Sequence, residues 1–263
     1  MIRLVVLGDP VSHSRSPAMH TAALSASGIS GEYLARRVDD DGMQAAAREM
    51  RHGVLTGANI TTPHKHLAAN LADRRSDLVR RMGAANTWWI DQDALLVAEN
   101  TDVAGVEYAF EQVGVSAPTL ILGAGGAAAA ALVAVAESPR ADHAVYLSTR
   151  NEDRARVLLD RLGLSARFVA WETPISGAVV VNATRLGMAG ETLPPGLLEE
   201  AAGLVDMPYG DRPTPAVARA LQLGIPCSPG LDMLLGQAVA AFTIWTGVIP
   251  DSTVMSEAAR QVL

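Results

Sequence analysis

The chain has 263 residues, of which 49% are hydrophobic and 4% aromatic, and it carries a formal net charge of −7. A negative charge without a block of lysine and arginine argues against a nucleic-acid-binding protein. The single cysteine, Cys227, excludes an intramolecular disulfide and a cysteine metal cluster, and we expect it to be a buried, small apolar residue. No run is apolar enough for a membrane span or a secretory signal, so we expect a soluble cytoplasmic protein.

Strand-like apolar runs alternate with helical patterns in the first part of the chain. The predicted strands cover residues 4–7, 33–37, 57–61 and 94–98, and the predicted helices begin at Ser16, cover 42–51 and 63–73, and begin again at Asp102. Pro63 is expected in the first turn of its helix, where its missing N–H costs nothing. The arginine pairs at 74–75 and 80–81 are interpreted as the solvated face of a helical stretch. This alternation is typical of βαβ units, with largely parallel sheets and helices on both faces.

From about residue 105 the chain has the pattern of a Rossmann-type unit. The predicted strands cover residues 119–122, 144–148, 178–182 and 203–207, and the predicted helices cover 127–137, begin at Asn151, and cover 231–246 and 252–263. We therefore predict an α/β fold with two domains and an active-site cleft between them. One domain contains residues 1–104, completed by the C-terminal helices of about 238–263, and the other contains residues 105–237.

A glycine-rich loop follows the apolar run 119–122 and opens an alanine-rich helix. Glycines let the backbone approach a pyrophosphate, and a helix N-terminus supplies N–H groups and a positive dipole to bind it. A lone glycine pattern would equally indicate a tight turn, but the strand–turn–helix context favours a dinucleotide site. The candidate binding residues are Gly123, Gly125, Gly126, Ala127 and Ala128.

Lys65 and Asp102 are each expected in the first turn of a helix that follows a strand. Side chains at two such ends can meet across a cleft, where a lysine paired with a carboxylate can act as a general acid on a carbonyl or hydroxyl substrate. Taken alone, the two residues are better interpreted as a surface salt bridge, but the glycine loop favours a catalytic pair. His13 and His64 have no metal-ligand spacing, and we interpret both as structural.

Seven short motifs follow one another along the whole chain, each of them weak by itself. They cover residues 8–20, 59–65, 83–87, 100–102, 182–188, 206–209 with 214–215, and 230–237. Together and in this order they resemble the signature motifs of the shikimate dehydrogenase family. The resemblance implies a substrate-binding N-terminal domain, an NADP-binding Rossmann domain, and the reversible NADP-dependent reduction of 3-dehydroshikimate to shikimate in chorismate biosynthesis.

The resemblance also implies roles for individual residues. Lys65 would donate a proton to the C3 oxygen as hydride arrives from the nicotinamide, and Asp102 would orient its ammonium group. Ser14 and Ser16, with Tyr209 as a third donor, would bind the substrate carboxylate. Ser16 has an alternative role as an ordinary helix N-cap, and Tyr209 one as a core tyrosine.

Three further residues would bind the ring hydroxyls of the substrate. They are Thr61, Asn86 and Gln237. Amide groups both donate and accept hydrogen bonds, so they suit alcohols whose protons can turn either way. By themselves, Asn86 would be interpreted as a turn residue and Gln237 as a partly buried polar residue.

On the cofactor side, Thr149, Arg150 and Arg154 follow the second predicted Rossmann strand, where NAD enzymes commonly carry an acidic residue. Two guanidinium groups can bind a 2′-phosphate, so the chain favours NADP over NAD. The alternative is a surface pair neutralised by Glu152 and Asp153. Four more residues belong to motifs that, in the family, contribute to the cofactor site: Thr184, Met188, Gly230 and Met233.

Other functions stay open at this point. A quinate/shikimate dehydrogenase would share Lys65 and Asp102, and a paralogue could prefer another substrate. A catalytically decayed NADP-binding regulatory protein is the alternative of a different class. Glu99 keeps the paralogue and the regulatory protein open, because a carboxylate three residues before Asp102 could perturb Lys65 or repel an anionic substrate. The alternative is that Glu99 simply faces solvent. We expect a small-molecule substrate, no nucleic acid, no membrane, and either a monomer or a homodimer.

Overall fold

Strands and helices alternate along the chain in the computed structural model, which describes residues 1–261. The chain divides into two compact units, each built on one six-stranded sheet, so the predicted α/β fold class is confirmed. The first unit contains Met1–Thr101 and the chain from Gln237 onward, and the second contains Asp102–Gly236. Gln237, which the predicted limits assign to the second domain, therefore groups with the first. No helix within residues 1–261 is both long and apolar enough to cross a membrane.

The elements of residues 1–261 are numbered in chain order. The strands are β1 (Ile2–Gly8), β2 (Gly31–Arg37), β3 (Gly57–Ile60), β4 (Arg74–Arg75), β5 (Thr87–Ile90), β6 (Leu96–Glu99), β7 (Thr119–Leu122), β8 (Val145–Ser148), β9 (Arg167–Val169), β10 (Val179–Asn182), β11 (Gly203–Asp206) and β12 (Cys227–Pro229). The α-helices are α1 (Ser16–Ala26), α2 (Asp40–Arg51), α3 (Lys65–Leu71), α4 (Asp77–Met82), α5 (Asp102–Val113), α6 (Gly126–Ala136), α7 (Glu152–Leu162), α8 (Pro215–Leu223), α9 (Gly230–Thr246) and α10 (Ser252–Gln261). A 3₁₀ helix covers Pro139–Asp142.

The sheet of the first unit, sheet A, has the strand order β2-β1-β3-β5-β6-β4. Strand β1 runs parallel to β2 and β3, and β4 runs parallel to β6, whereas β5 runs antiparallel to both β3 and β6. Sheet A is therefore mixed, and only β5 departs from the predicted parallel arrangement. The cause of this reversal is a tight turn after β5. The Asp91 carboxylate accepts hydrogen bonds from the N–H groups of Asp93 (2.9 Å) and Leu95 (3.0 Å), and Ala94 has a φ of 59°. A turn this short can only join antiparallel neighbours, because a parallel return needs about a dozen residues or more.

Two local predictions in this unit are also wrong. Pro63 lies in a turn before α3, in which the His64 N–H donates to the Thr61 carbonyl (3.0 Å), and the helix begins only at Lys65. The arginines at 74–75 form strand β4 rather than part of a helix, because the N–H of Asp73 just before them already donates to the Leu96 carbonyl (2.8 Å) and starts the pairing with β6. Only the arginines at 80–81 lie on a helix, α4.

The sheet of the second unit, sheet B, is parallel throughout, with the strand order β12-β11-β10-β7-β8-β9. Strands β7 and β10 are buried at every position, as expected for central strands covered on both faces. Leu120, Val180 and Leu204 belong to one apolar cluster with Ala216 and Ala220 of α8. Cys227 is only half-buried, which corrects the expectation of a buried cysteine, because it lies on the short edge strand β12.

The core of the first unit is formed where sheet A meets its helices. Leu7 and Ile60 form one apolar cluster with Met43 of α2. Helix α9 comes close to β3 because Gly57 has no side chain: a Cβ at Gly57 would lie 2.4 Å from Nε1 of Trp245. That indole N–H donates to the carbonyl of Trp88 (3.0 Å), which ties α9 to β5.

His20 of α1 is fully buried in an aromatic group of the first unit. Its ring stacks on Tyr33, with centroids 4.4 Å apart and planes 8° apart, and Phe242 and Trp245 of α9 lie 6.2 Å and 5.3 Å away. Neither ring nitrogen has a hydrogen-bond partner within residues 1–261. Burial lowers the pKa of His20 to about 3, so the ring is neutral at neutral pH.

We predict that His20→Phe makes the protein less sensitive to mild acid. In the unfolded chain a histidine takes up a proton below about pH 6.5, whereas in the folded chain His20 stays neutral down to about pH 3. The unfolded state therefore binds more protons in this window, and the free energy of unfolding falls by about 1.4 kcal/mol for each unit of pH decrease. Urea unfolding at about pH 7 and about pH 5 should show the wild type losing about 2 kcal/mol more than the variant.

The matched control for this experiment is His13→Phe, because His13 is exposed. It should keep the pH dependence of the wild type. Equal losses for the wild type and His20→Phe would contradict the role assigned to His20.

Candidate active site

The motifs of the first unit converge at the edge of sheet A that is formed by the carboxyl ends of β1 and β3. Strands β1 and β3 are parallel neighbours, so the loops that follow Gly8 and Ile60 leave the sheet side by side. Because β5 is antiparallel to β3 and β6, its first residue, Thr87, lies opposite Asn59 and Glu99 at the same edge. Four segments therefore lie at this edge: residues 9–16, 61–65, 86 and 100–101. They include most of the predicted catalytic and substrate-binding positions of this unit.

Close backbone contacts hold these segments together. A Cβ at Gly8 would lie 2.3 Å from Cγ2 of Thr61, so glycine allows the first loop to lie against the second. The Ala85 N–H donates to the carbonyl of Lys65 (2.9 Å), which joins the start of α3 to the segment that carries Asn86. The positions of Thr61, Lys65 and Asn86 are thus set by the backbone.

A chain of buried hydrogen bonds runs beneath this edge. The Tyr33 hydroxyl donates to Oδ1 of Asn59 (2.7 Å), and Nδ2 of Asn59 donates to Oγ1 of Thr87 (3.1 Å). The Thr87 hydroxyl donates to Oδ1 of Asn86 (2.9 Å), which also accepts from the backbone N–H (2.7 Å) and the hydroxyl (3.2 Å) of Thr101. The side-chain oxygen of Asn86 therefore already accepts hydrogen bonds from Thr87 and Thr101, and this network fixes the orientation of the amide group.

The two predicted carboxylate-binding serines lie at the start of α1. Ser16 is the first helical residue and Arg15 occupies the N-cap position, so the interpretation of Ser16 as an N-cap is wrong. Ser16 is buried, and its side chain hydrogen-bonds to the hydroxyl of Tyr33. Burial raises the pKa of Tyr33 well above its usual value, and the Ser16 bond opposes that shift. Oγ of Ser14 accepts from the Ser16 N–H (3.3 Å), so both serines are connected to the network of Asn86.

Glu99 is held by neighbours in the first unit. Its Oε1 accepts hydrogen bonds from the Ser76 hydroxyl (2.7 Å) and from the N–H of Asn100 (2.8 Å). Ser76 is also the N-cap of α4, and Nδ2 of Asn100 donates to the carbonyl of Ala84 (3.0 Å). Glu99 therefore ties α4 to the loop at residues 100–101.

Lys65 and Asp102 each begin a helix, as predicted. Lys65 is the first residue of α3 and is partly buried. It is also the only lysine among the 21 lysine and arginine residues of the chain. Asp102 is a buried residue at the start of α5, where a carboxylate is favoured by the helix dipole, and it is the first residue of the second unit. Gln237 is buried on α9.

His64 agrees with its structural interpretation. It is buried, and its ring nitrogens contact the carbonyl of Val38 (2.9 Å) and the carboxylate of Asp40 (3.2 Å). Among residues 1–261, no group of three or more histidine, cysteine, aspartate or glutamate side chains is arranged to hold a metal ion.

In the second unit, a cavity of about 670 Å³ lies at the carboxyl edge of sheet B. All strands of this sheet are parallel, so the loops after β7, β8 and β10 leave the same edge, which is the usual ligand-binding edge of an open α/β sheet. The cavity wall includes Gly123, Gly125, Thr149, Arg150, Arg154 and Thr184. Ala127 and Ala128 follow in the first turn of α6.

The glycine loop fits a dinucleotide pyrophosphate. Gly125 is the N-cap of α6, and a Cβ at Gly125 or Gly126 would point into open space rather than into the protein. Gly123 has a φ of +111°, which side chains rarely adopt, and a Cβ there would lie 3.0 Å from the carbonyl oxygen of Ala183. A ligand can thus approach the backbone N–H groups at the start of α6.

Arg150 and Arg154, two of the three arginines that line this cavity, are exposed near the start of α7. Oδ1 of Asn151 caps the helix by accepting from the Arg154 N–H (2.9 Å), and Oγ1 of Thr149 accepts from the Asn151 N–H (3.2 Å). Glu152 pairs with Arg156 (3.1 Å) one turn along the helix. Glu152, one of the two acids that could neutralise these arginines, therefore has another partner.

A second buried network supports the loop after β10. Nδ2 of Asn182 donates to Oδ1 of Asp206 (2.6 Å), and the Thr214 hydroxyl donates to the other oxygen of Asp206. Oδ1 of Asn182 accepts from the hydroxyl of Thr184 (2.6 Å), whose Oγ1 accepts from the Leu186 N–H (3.0 Å). Burial raises the pKa of Asp206, and the bonds from Thr214 and Asn182 oppose the rise. Thr184 is thus tied to the core of sheet B.

The remaining predicted residues also follow the carboxyl ends of sheet B strands. Gly230 comes directly after β12, where a Cβ would lie 2.4 Å from the carbonyl oxygen of Met207, so the glycine is required by close packing. Met233 lies in the first turn of α9, and Tyr209 lies in the loop after β11. Met188 is 54% exposed.

Sequence reasoning gave no role to Tyr33, Asn59 or Asp206. Asn59 and Asp206 stand in strands that are otherwise apolar, and a buried polar group in such a strand needs a partner. That signal was available in the sequence. No such signal marks Tyr33, because tyrosine is common in strands and only the fold shows which group its hydroxyl contacts.

Comparison with known proteins gives matches along the whole chain. Residues 6–88 match the shikimate dehydrogenase substrate binding domain, and residues 230–260 match the shikimate 5′-dehydrogenase C-terminal domain. A shikimate dehydrogenase (NADP(+)) of Thermus thermophilus is 37% identical over 268 residues, covering 100% of this chain and 99% of that protein. One of Paramagnetospirillum magneticum is 37% identical over 260 residues, covering 93% and 92%. A crystal structure of a shikimate 5-dehydrogenase of Thermus thermophilus in complex with NADP(H) and shikimate has a TM-score of 0.89 at 37% identity, covering 100% of both chains.

We predict that Tyr33→Phe destabilises the first unit although it keeps the stacked ring. The change removes the donor to the buried Oδ1 of Asn59, and an unsatisfied buried acceptor costs about 1–3 kcal/mol. Urea unfolding should show that loss in the free energy of unfolding. In the control Tyr146→Phe the hydroxyl makes no hydrogen bond within residues 1–261, so the change should be within about 0.5 kcal/mol. Equal effects of the two substitutions would show that the network does not stabilise the fold.

Proposed function

The chain belongs to the shikimate dehydrogenase family, as its motifs predicted, and we propose that it catalyses the reversible, NADP-dependent reduction of 3-dehydroshikimate to shikimate in chorismate biosynthesis. The observation that carries this proposal is Lys65. Lys65 is the only lysine of the chain, and the remaining lysine-or-arginine positions are all arginine. It stands where two loops of sheet A meet. Arginine is not deprotonated in proteins, whereas lysine can give and take a proton. The position therefore calls for proton transfer and not only for positive charge.

The chemistry follows from that assignment. When bound, NADPH supplies a hydride to the C3 carbonyl carbon. Lys65 donates a proton to the carbonyl oxygen, and its positive charge stabilises the negative charge that develops there. In the reverse direction the neutral amine accepts the proton of the C3 hydroxyl. Asp102 is the second member of the proposed catalytic pair and accepts a hydrogen bond from a ring hydroxyl.

Substrate recognition is proposed to use hydroxyl and amide groups. Ser14 and Ser16, at the start of α1, and Tyr209 donate to the substrate carboxylate. Thr61, Asn86 and Gln237 bind the ring hydroxyls. Because the buried network fixes Asn86, an analogue without the matching hydroxyl would leave a polar group unpaired, and such sites discriminate strongly.

The cofactor is proposed to bind in the cavity of the second unit. The glycine loop at 123–126 and the first turn of α6, with Ala127 and Ala128, face the pyrophosphate. Thr149, Arg150 and Arg154 bind the 2′-phosphate. Thr184, Met188 and Met233 are assigned to the nicotinamide end, and Gly230 is a further cofactor-binding residue. On this assignment the first unit is the substrate domain, with Gln237 included, and the second unit is the cofactor domain. We further propose a cytoplasmic enzyme that is a monomer or a homodimer.

Steady-state rates with shikimate and with quinate, each with NADP and with NAD, test the function directly. The proposal requires the highest kcat/KM for shikimate with NADP. A higher value with quinate would assign the chain to a quinate/shikimate dehydrogenase. Binding of NADP without turnover in any combination would indicate a regulatory protein.

We predict that Lys65→Arg and Lys65→Ala lose similar amounts of activity. Arginine keeps the positive charge but cannot transfer the proton, so kcat should fall by about 10²–10⁴-fold in both variants with little change in KM. Arg48→Lys on the exposed side of α2 is the control for an arginine–lysine exchange and should be neutral. A Lys65→Arg enzyme with more than about a tenth of the wild-type kcat would show that charge alone suffices.

We predict that Arg150→Ala raises the KM for NADP and leaves the use of NAD nearly unchanged. Arg150 lines the cavity, and only NADP carries the 2′-phosphate that its guanidinium group can bind. The matched control is Arg161→Ala, which removes an exposed arginine from the last turn of α7. Equal effects of Arg150→Ala on both cofactors would show that this residue does not distinguish them.

A further inference from the structure

The loop that follows β10 has an exposed outer turn, residues 188–190. Apolar packing fixes the chain on both sides of this turn, at the buried residues Ala183 and Leu193. Within the turn, Met188 is 54% exposed. A turn with so little burial is expected to move unless its polar groups are bonded.

The carboxylate of Glu191 bonds to the backbone of this turn. Its Oε2 accepts hydrogen bonds from the N–H groups of Gly187 (3.1 Å) and Ala189 (3.0 Å). The pKa of Glu191 lies below its usual value because the carboxylate accepts from its own N–H and from those of Ala189 and Gly187, with a smaller contribution from the positive charge of Arg185. Three alternate N–H groups thus form a concave site for an anion, and a side chain of the same loop fills it.

The N–H groups between these three are bonded within the loop as well. Each donates to an acceptor two or three residues earlier: Leu186 to Oγ1 of Thr184 (3.0 Å), Met188 to the carbonyl of Arg185 (3.1 Å), and Gly190 to the carbonyl of Gly187 (3.3 Å). Every backbone N–H from residue 186 to residue 191 therefore has an acceptor. Three of the six depend on one side chain, that of Glu191.

Met188 is therefore an exposed apolar side chain on a backbone that is held in place. The same loop contributes Arg185, Leu186 and Glu191 to the wall of the cavity at the carboxyl edge of sheet B. A thioether side chain packs well against a flat ring. Because the backbone is already ordered, less entropy is lost when a ligand packs against Met188.

We propose that Glu191 is a positioning residue for hydride transfer: its carboxylate closes the turn at 187–191 and so holds Met188 where the nicotinamide ring binds. The inference rests on the proposed function, which assigns Met188 to the nicotinamide end of the cofactor. Glu191 acts through Met188 and not by contact with the ring. A displacement of about 1 Å in a reacting group can cost about 10²-fold in rate, so the turn affects the rate of the reaction.

Two substitutions of Glu191 test this role in steady-state shikimate oxidation. Glu191→Ala removes the acceptor of three N–H groups, and kcat should fall by about 10–100-fold with NADP and with NAD alike, because both cofactors carry the nicotinamide. The KM for shikimate should not change. Glu191→Gln keeps a side-chain oxygen as acceptor and should retain more of the kcat than Glu191→Ala.

The matched control is Glu199→Ala, which removes another exposed glutamate of the second unit, one that pairs with Arg219 (2.9 Å). It should have the kinetics of the wild type. A folded Glu191→Ala protein with the wild-type kcat would overturn the positioning role, and so would a Glu191→Gln protein as slow as Glu191→Ala. A wild type that does not oxidise shikimate would overturn the proposed function together with this inference.

A double-mutant cycle with Met188→Ala tests whether Glu191 acts through Met188. If it does, Glu191→Ala/Met188→Ala should be no slower than the slower of its two parents, because the second change removes an effect that is already lost. Losses that multiply in the double variant would show that the two residues act independently and would overturn the proposed route.

Amide hydrogen exchange, followed by NMR in the protein without cofactor, tests the hydrogen bonds themselves. The N–H groups of Gly187 and Ala189 should exchange faster in Glu191→Ala than in the wild type, while those of the Glu199→Ala control stay protected. Unchanged exchange at both positions in Glu191→Ala would show that the carboxylate does not hold the turn.

Discussion

The first unit depends on one buried amide. Asn59 stands on the central strand β3, where its side chain accepts from Tyr33 on β2 and donates to Thr87 on β5. Asn59 thereby links β3 through side-chain hydrogen bonds to its neighbour β5 and, past β1, to β2, and the same network continues to Asn86 and Ser16. A buried, fully connected network of this kind rigidifies a site, because any member that moves leaves its partner unsatisfied.

The second unit repeats the arrangement with other residues. Asn182 ends the central strand β10 and bonds to Asp206 on the neighbouring strand and to Thr184 in the loop. In both sheets an asparagine at the carboxyl end of a central strand connects the core to the loops that carry the proposed site. Asparagine suits this position because its amide group donates to one partner and accepts from another at once.

The identity of the basic residues adds a chemical argument that geometry alone does not give. Arginine serves the surface pairs with Asp9, Glu49 and Glu199, where a fixed positive charge suffices. Lysine occurs only at the start of α3, where the proposed substrate-binding loops converge. The restriction of lysine to this one position supports the proposal that Lys65 transfers a proton.

The sequence by itself determined the family, the α/β class and the short motifs, because glycine loops, helix starts and buried apolar runs are local and leave local patterns. It predicted Lys65, Asp102 and Arg150 at element ends, and the structure has them there. It failed for Pro63, for the arginines at 74–75 and for the antiparallel β5. The last two failures have one reason, since the pairing of strands decides whether a two-residue strand forms and in which direction β5 runs. Only the tertiary structure decided that Tyr33 is linked to Asn86 through Asn59 and Thr87, and that Glu99 bonds to Ser76. These hydrogen bonds join residues far apart in the chain, and nothing in the local sequence pattern specifies the partner.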